Sequence, residues 1–223
     1  MLNINFYSLF YKHFKIIALW YIIIRGDDMK TIKEIFIKET IVKNSRFITV
    51  ISPLNNEKDV NNIIDKLKSE YKNATHYCYA YIISDIKRFN DDGEPGGTAG
   101  IPILNVLEKN GLNSIICIVI RYFGGIKLGA GGLIRAYGKS VREALKESNL
   151  LNMYECSKIT IRFSYGNLKD VDFIINKAVI INKEFESDIK YIVMLKENEL
   201  DIIDKLKLNN INIIDIKKDY YFE

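Results

Sequence analysis

The segment GLIRAYGKS, residues 132–140, ends in the Gly-Lys-Ser triplet that closes a phosphate-binding P-loop. A P-loop needs a glycine five positions before its Gly-Lys pair, and this chain has Leu133 there. The context also differs, because the glycines at positions 129, 131 and 132 come first and a helical pattern follows them. We therefore exclude an ATPase-type phosphate loop around Lys139.

Residues 133–147 have the spacing of an amphipathic helix. Four cations recur at steps of four, three and four on the side opposite the apolar residues, namely Arg135, Lys139, Arg142 and Lys146. One interpretation is a solvated helix face. The other is a contact surface for RNA, because five cations and no acid lie between Lys109 and Glu143.

Residues 91–100, DDGEPGGTAG, place three acids, four glycines and a threonine in ten positions. Asp91, Asp92 and Glu94 have the oxygen atoms that Mg²⁺ prefers. A turn is the alternative, because Asp-Gly and Pro-Gly are turn dipeptides. We favour a third interpretation, in which the glycines expose backbone amides and the acids hold nearby arginines. This loop, including Thr98, then lines a cleft without a metal.

The segment RYFGGIKLG, residues 121–129, follows a predicted buried strand. It combines positive charge, two aromatic rings and a flexible turn, and a helix begins directly after it, so an anion would meet free amides. The anion-binding residues predicted here are Arg121, Lys127, Gly124, Gly125 and Gly129. In the alternative interpretation the aromatic pair belongs to the core and Arg121 pairs with Asp91 or Asp92.

His76 is the only histidine after the first 28 residues. One histidine without a Cys-x-x-Cys pair does not form a usual zinc site. The sequence contains no Gly-x-Ser-x-Gly nucleophile elbow, but it does not exclude a Ser-His-Asp triad. We expect His76 to be a hydrogen-bonded structural residue of the cleft, and we predict no catalytic residue, metal or cofactor. The odd count of cysteines (Cys78, Cys117 and Cys156) predicts reduced thiols in the cytoplasm.

Residues 1–28 differ from the rest of the chain. Lys12 and Lys15 precede an apolar run of nine residues, 16–24, which is too short to span a membrane. No small-residue cleavage site follows the run. The RGDD segment before Met29 can be encoded by a purine-rich sequence of the ribosome-binding kind. We therefore expect Met29 to be the true start and residues 1–28 to be a leader translated from upstream DNA.

Hydrophobic spacing predicts two domains, residues 29–153 and 154–223, with a junction near residues 150–156. The first has predicted strands at 35–52, 75–84 and 114–120 and helices at 57–71, 101–109 and 133–147. The second has predicted strands at 158–163, 179–185, 190–195 and 211–220 and helices at 168–176 and 197–206. Its βαββαβ order is the ferredoxin-like arrangement. In the strand at 75–84, Cys78 and Tyr77 fall on opposite faces.

The segments THYCYAY, DDGEPGGTAGIPIL and IVIRYFGGIKLGAGGLIRAY resemble the Impact family, known in bacteria as the YigZ family. The resemblance runs from about Met29 to the end. It implies an α+β fold, with a first domain like the second domain of a small-subunit ribosomal protein and a ferredoxin-like second domain. Eukaryotic members regulate translation initiation. The matching positions are His76, Asp91, Asp92, Gly93, Glu94, Thr98, Ala99, Gly100, Arg121, Gly124, Gly125, Leu128 and Gly129, whereas relatives often have serine or alanine at Gly96.

Three functions are compatible with these residues. The first, which we favour, is a regulatory protein of translation whose basic glycine-rich cleft and helix stripe contact RNA or ribosome components. The second is an enzyme acting on a phosphorylated small molecule or nucleotide, with Asp92 or Glu94 as acid, base or metal ligand and Arg121 as phosphate clamp. The third is a protein–protein adaptor that uses the carboxyl-terminal sheet. The sequence names neither the RNA nor the oligomeric state.

Overall fold

The computed structural model describes residues 29–222 of the 223-residue chain. The predicted leader, residues 1–28, lies outside the described residues, so the start at Met29 stays a prediction. Between residues 29 and 222 no helix combines the length and the apolar character needed to cross a membrane. The described chain falls into two compact units, residues 29–152 and 153–222.

A five-stranded antiparallel sheet forms the centre of the first unit. Its strands are β2 (Phe36–Val42), β3 (Ser45–Pro53), β4 (His76–Ile83), β5 (Ile86–Asn90) and β6 (Ile115–Tyr122), in the order β2-β3-β6-β4-β5. The central strand β6 is buried from residue 115 to residue 121, as its uninterrupted apolar run predicts. A short strand, β1 (Lys30–Ile32), pairs with the beginning of β7 (Leu150–Phe163).

Helices cover both faces of this sheet. They are α1 (Asp59–Glu70), α2 (Gly100–Lys109) and α3 (Ala130–Glu147). The apolar stripe of α1 packs with Ile118 on one face, whereas α2 and α3 pack with Cys117 and Val119 on the other. The alternation predicted for β4 is confirmed, because Cys78 belongs to the cluster under α2 and α3 and Tyr77 to the cluster under α1.

Residues 35–52 are not one strand but the hairpin of β2 and β3. Lys43 and Asn44 form its two-residue turn with φ values of +45° and +62°. Such left-handed turns match the twist of paired strands, but their usual signal is Asn-Gly or Asp-Gly, which this chain lacks here. β5 is also missing from the prediction, because its five residues are all exposed at the sheet edge.

The second unit has the predicted βαββαβ order. After β7 come α4 (Leu168–Ile174), β8 (Val179–Phe185), β9 (Ile189–Lys196), α5 (Asp201–Leu208) and β10 (Asn212–Phe222). Its four antiparallel strands lie in the order β10-β7-β9-β8. Buried residues of both helices and of β7 and β9 form its own core.

The predicted junction at residues 150–156 lies inside β7. Residues 150–152 of this 14-residue strand pair with β1, and pairing with β10 begins at Met153. The two units are therefore separated within a continuous strand and not by a linker. The helix predicted at 197–206 begins only at Asp201, because a 3₁₀ turn occupies Glu197–Glu199.

Candidate functional site

Three neighbouring strands place the first site residues in one row. Arg121 on β6 pairs with Phe47 on β3 and with His76 on β4. Side chains of directly paired residues lie on the same face of a sheet. These three side chains therefore project towards the face that α2 and α3 cover. The Arg121 guanidinium carbon lies 5.5 Å from the ring centre of Phe47.

Arg121 and Glu94 form a buried ion pair. Arg121 Nη1 donates to Glu94 Oε1 at 2.5 Å, and the side chains are only 6% and 3% exposed. Arg121 Nη2 lies 3.5 Å from the Ser45 hydroxyl. The alternative interpretation predicted that Arg121 pairs with Asp91 or Asp92. This is wrong, because its acidic partner is Glu94. The charge that Arg121 was expected to offer an anion is already balanced by Glu94.

Tyr137 connects α3 to this ion pair. Its hydroxyl donates to Glu94 Oε1 at 2.8 Å, and its ring packs edge-on against Phe47. Burial raises the pKa of the Tyr137 phenol, so it remains a neutral donor. The Cys78 thiol lies 3.3 Å from that hydroxyl, and burial raises the pKa of Cys78 to about 12. A thiol that stays protonated is not an activated nucleophile.

The two aspartates of the 91–100 loop bind the backbone. The Asp91 carboxylate accepts hydrogen bonds from three amides later in the loop at 2.8–2.9 Å. Asp92 accepts from the Tyr77 amide at 2.6 Å, and the Thr98 hydroxyl donates to the Pro95 carbonyl at 2.6 Å. In the part of the chain that the structure describes, no three metal-ligating side chains cluster. These aspartates organise the loop, and only Glu94 holds an arginine.

His76 lies between this loop and the ion pair. Its Nδ1 is 2.8 Å from the Asp92 carbonyl oxygen. Since a carbonyl only accepts, Nδ1 is the donor in this hydrogen bond. Nε2 lies 3.9 Å from Glu94 Oε1. This hydrogen bond agrees with the structural role expected for His76.

A cleft of about 290 Å³ opens beside these residues. Its walls include His76, Arg121, Phe123, Lys127, Leu128 and Gly129. The first hydrogen bond within α3 runs from the Leu133 amide to the Gly129 carbonyl, so the amides of residues 130–132 have no acceptor in the helix. Gly129 provides no side-chain cap, and Ala130 itself lines the cleft.

The three predicted glycines have different roles. Gly129 lines the cleft, whereas Gly124 packs on the β2–β3 turn, where a Cβ would lie 2.1 Å from the Asn44 carbonyl carbon. The Gly124 amide donates to the Ser45 hydroxyl at 3.2 Å. Gly125 has φ of +82°, which glycine adopts without strain. Gly124 and Gly125 therefore shape the segment, and only Gly129 meets the cleft.

The predicted cationic stripe lies on the exposed side of α3, opposite its buried residues. We call its four members, Arg135, Lys139, Arg142 and Lys146, the basic ridge. Lys139 lies 3.5 Å from Glu143, whereas the other three have no ion pair within residues 29–222. The Gly-Lys-Ser triplet lies in the middle of α3, which confirms that it is not a P-loop.

Sequence reasoning missed the contributions of Ser45, Phe47 and Tyr137. The Ser45 hydroxyl accepts the Gly124 amide, and Phe47 packs on both Arg121 and Tyr137. Periodicity identifies Tyr137 only as a core residue of the helix. The position of Tyr137 in the apolar stripe of the helix does not indicate that its hydroxyl contacts Glu94, a carboxylate from a distant loop.

Comparison with known proteins identifies the family. Residues 43–145 match the Impact N-terminal domain. The chain is 39% identical over 174 residues to the IMPACT family member YvyE of Bacillus subtilis (strain 168), covering 76% of this chain and 80% of that protein. It is 33% identical over 153 residues to the IMPACT family member YigZ of Escherichia coli (strain K12), covering 66% of this chain and 75% of that protein.

A solved structure is also similar. The crystal structure of a hypothetical protein matches with a TM-score of 0.60 and 26% sequence identity, covering 86% of this chain and 98% of that chain. This match extends over both units and supports the mixed α/β fold. From these similarities and the family motifs, the chain belongs to the IMPACT family, as the resemblance of its segments predicts.

Proposed function

We propose that this IMPACT-family protein is a translation-associated regulator that binds RNA through the basic ridge of α3. The link to translation comes from the family resemblance, because eukaryotic members regulate initiation. The proposal includes a cytoplasmic location. It also includes two domains, residues 29–153 and 154–223, the first like a ribosomal protein domain and the second ferredoxin-like, as expected above.

The observation that supports RNA binding is that three of the four ridge cations are exposed and have no ion pair within the described residues. These three are Arg135, Arg142 and Lys146, whereas Lys139 lies 3.5 Å from Glu143. The four cations extend over twelve residues, from Arg135 to Lys146, or about 16 Å of helix. Unpaired cations in a row along a rigid helix suit successive phosphates of a nucleic acid strand.

The structure weakens the enzyme alternative. The Asp92 carboxylate already accepts the Tyr77 amide, and Glu94 is buried between Arg121 and Tyr137. Glu94 is therefore not free to act as the acid, base or metal ligand which that function requires, whereas Asp92 keeps a second carboxylate oxygen beside the one bonded to Tyr77.

Charge reversal on the ridge tests RNA binding. Arg135→Glu combined with Arg142→Glu should weaken binding of a single-stranded oligoribonucleotide by about tenfold or more at low salt. The plot of log affinity against log salt should also become less steep, with a slope less negative by about 1.4, since two phosphate contacts are lost. Fluorescence anisotropy across a salt series measures both quantities.

A matched control uses exposed lysines on the opposite face of the sheet. Lys58→Glu combined with Lys66→Glu makes the same change in charge at and within α1. The control should retain most of the RNA affinity. Equal losses in the two double variants would show that net charge, and not the ridge, determines binding, and an unchanged affinity in the ridge variant would refute the proposal.

A further inference from the structure

The cleft at the beginning of α3 has one end suited to a phosphate group. The amides of residues 130–132 have no acceptor within the helix, and Gly129 and Ala130 line the cleft. Lys127 lines it too, is exposed, and has no ion pair within residues 29–222. Free amides, the positive end of the helix dipole and an unpaired ammonium group together favour a phosphate.

Arg121 gives an independent indication of a ligand. It lines the cleft and is only 5% exposed, yet its Nε has no hydrogen-bond partner among the described residues. Its Nη1 and Nη2 are engaged by Glu94 and Ser45. Buried donors in native proteins nearly always have a partner. Arg121 therefore has a buried Nε donor without a partner among the described residues, in a wall where the side chains of Arg121, Lys127 and Glu94 carry a formal charge of +1 together.

The wall of the cleft also has a surface suited to a planar apolar group. Phe123 is 48% exposed, although it lies on a wall of the cleft, and its ring centre is 5.6 Å from the Arg121 guanidinium carbon. Leu128 and Leu133 complete this wall. Exposed aromatic rings beside cations are the surfaces on which nucleic acid bases stack. The volume of about 290 Å³ is close to the lower end of the range for small-molecule sites, about 300 Å³.

We propose that the cleft binds one nucleoside monophosphate, with the phosphate at the amides of residues 130–132 and Lys127 and the base on Phe123. This nucleotide is the terminal nucleotide of the RNA that the basic ridge contacts. That assignment rests on the proposed function. Both surfaces belong to α3, and Arg135 Nη1 approaches to within 3.7 Å of the Cβ position of Gly131 in its first turn. Arg135 therefore lies beside the first turn of α3, whose Ala130 lines the cleft.

Isothermal titration calorimetry with adenosine 5′-monophosphate tests the site directly. Phe123→Ala should weaken binding by about 5- to 100-fold, the range that the loss of one base stack produces. Lys127→Glu should also weaken binding, because it replaces the cation at the phosphate by an anion. Both side chains are exposed, so both variants should fold. Adenosine and inorganic phosphate should each bind far more weakly than the nucleotide. In NMR spectra of the wild type, the amide signals of Ala130 and Gly131 should move on titration with the nucleotide.

The ridge variant separates this proposal from the proposed function. For this purpose the ridge variant is Arg142→Glu/Lys146→Glu, which leaves Arg135 in place beside the first turn of α3, and it should lose RNA affinity but keep adenosine monophosphate affinity. Oligoribonucleotides with a 5′-phosphate, a 3′-phosphate or neither show which end enters the cleft, and phosphorylated RNA should bind more tightly only when Phe123 and Lys127 are intact. No nucleotide binding, equal binding of inorganic phosphate, or loss of nucleotide binding in the ridge variant would overturn the cleft proposal. Unchanged RNA affinity in the ridge variant would overturn only the proposed function.

Discussion

At the scale of single residues, Glu94 holds the buried part of the site together. Its Oε1 accepts from Arg121 Nη1 and from the Tyr137 hydroxyl, and it faces His76 Nε2 at 3.9 Å. The loop, the central strand and α3 therefore meet at one carboxylate. A charge removed from such a pair leaves its partner buried without compensation, and that is costlier than the loss of an exposed pair.

Glu94→Gln should lower the free energy of unfolding by about 3 kcal/mol or more, because Arg121 stays buried and charged without its acid. Urea unfolding measures this loss. The matched control is Glu108→Gln, which removes the partner of Lys87 in a pair whose side chains are 37% and 49% exposed. The control should change stability by at most about 1 kcal/mol. Similar losses in both variants would contradict the structural role of Glu94.

Cys78 should react slowly with iodoacetamide while the protein is folded. Burial raises its pKa from the ordinary value near 9 to about 12, so almost no thiolate exists at neutral pH. Because the folded pKa is the higher one, the contribution to stability is present below pH 9 and is lost as pH rises through about 12. Mass spectrometry of native and urea-unfolded samples should show modification only after unfolding, and rapid native labelling of Cys78 would contradict it.

At the scale of elements, the segment after β6 depends on its contact with the β2–β3 hairpin. Gly124 lies against Asn44 so closely that no side chain fits, and its amide hydrogen bond to Ser45 fixes the contact. This contact determines where the chain turns before it reaches Lys127 and α3. The position of the cleft is thus coupled to a turn that is nearly 80 residues away in sequence.

Gly124→Ala should destabilise the protein by about 1–3 kcal/mol, because its Cβ would lie 2.1 Å from the Asn44 backbone. Gly96→Ala is the matched control, since no heavy atom lies within 4 Å of a Cβ there. Neither glycine has a positive φ, so the comparison isolates the available space. Thermal unfolding should give a clear loss for Gly124→Ala and a change within about 0.5 kcal/mol for the control. The opposite order would contradict the close packing.

At the scale of the whole molecule, the two units have separate hydrophobic cores. One unit places its buried residues on both faces of the five-stranded sheet, and the other packs α4 and α5 on its own four strands. Among residues 29–222, no buried residue is shared between these clusters. We therefore expect each unit to unfold as a cooperative domain of its own.

Calorimetry of two single variants tests this expectation. Leu107→Ala lies in the core of the first unit and Leu206→Ala in the core of the second, and both leucines are fully buried. Each variant should destabilise its own transition by about 2–5 kcal/mol and leave the other transition in place. A single transition that moves equally in both variants would show that the units unfold together.

Local patterns made much of the fold predictable. The alternation of Cys78 and Tyr77 in β4, the apolar run of β6 and the cationic stripe of α3 depend only on the period of the local backbone, and each is found as expected. The hairpin turn at Lys43 and the exposed edge strand β5 escaped prediction, because neither has a strong turn signal or an apolar face.

The amino-acid sequence by itself determined the periodic elements, the exclusion of a P-loop and, through its motifs, the family. Only the tertiary structure decided that Arg121 pairs with Glu94 and not with Asp91 or Asp92. It also decided that Gly124 packs against the β2–β3 turn, whereas Gly129 lines the cleft. The physical reason is distance along the chain. Period and propensity act over a few neighbours, whereas the partner of a buried charge is selected by strand order and by the space left between packed elements.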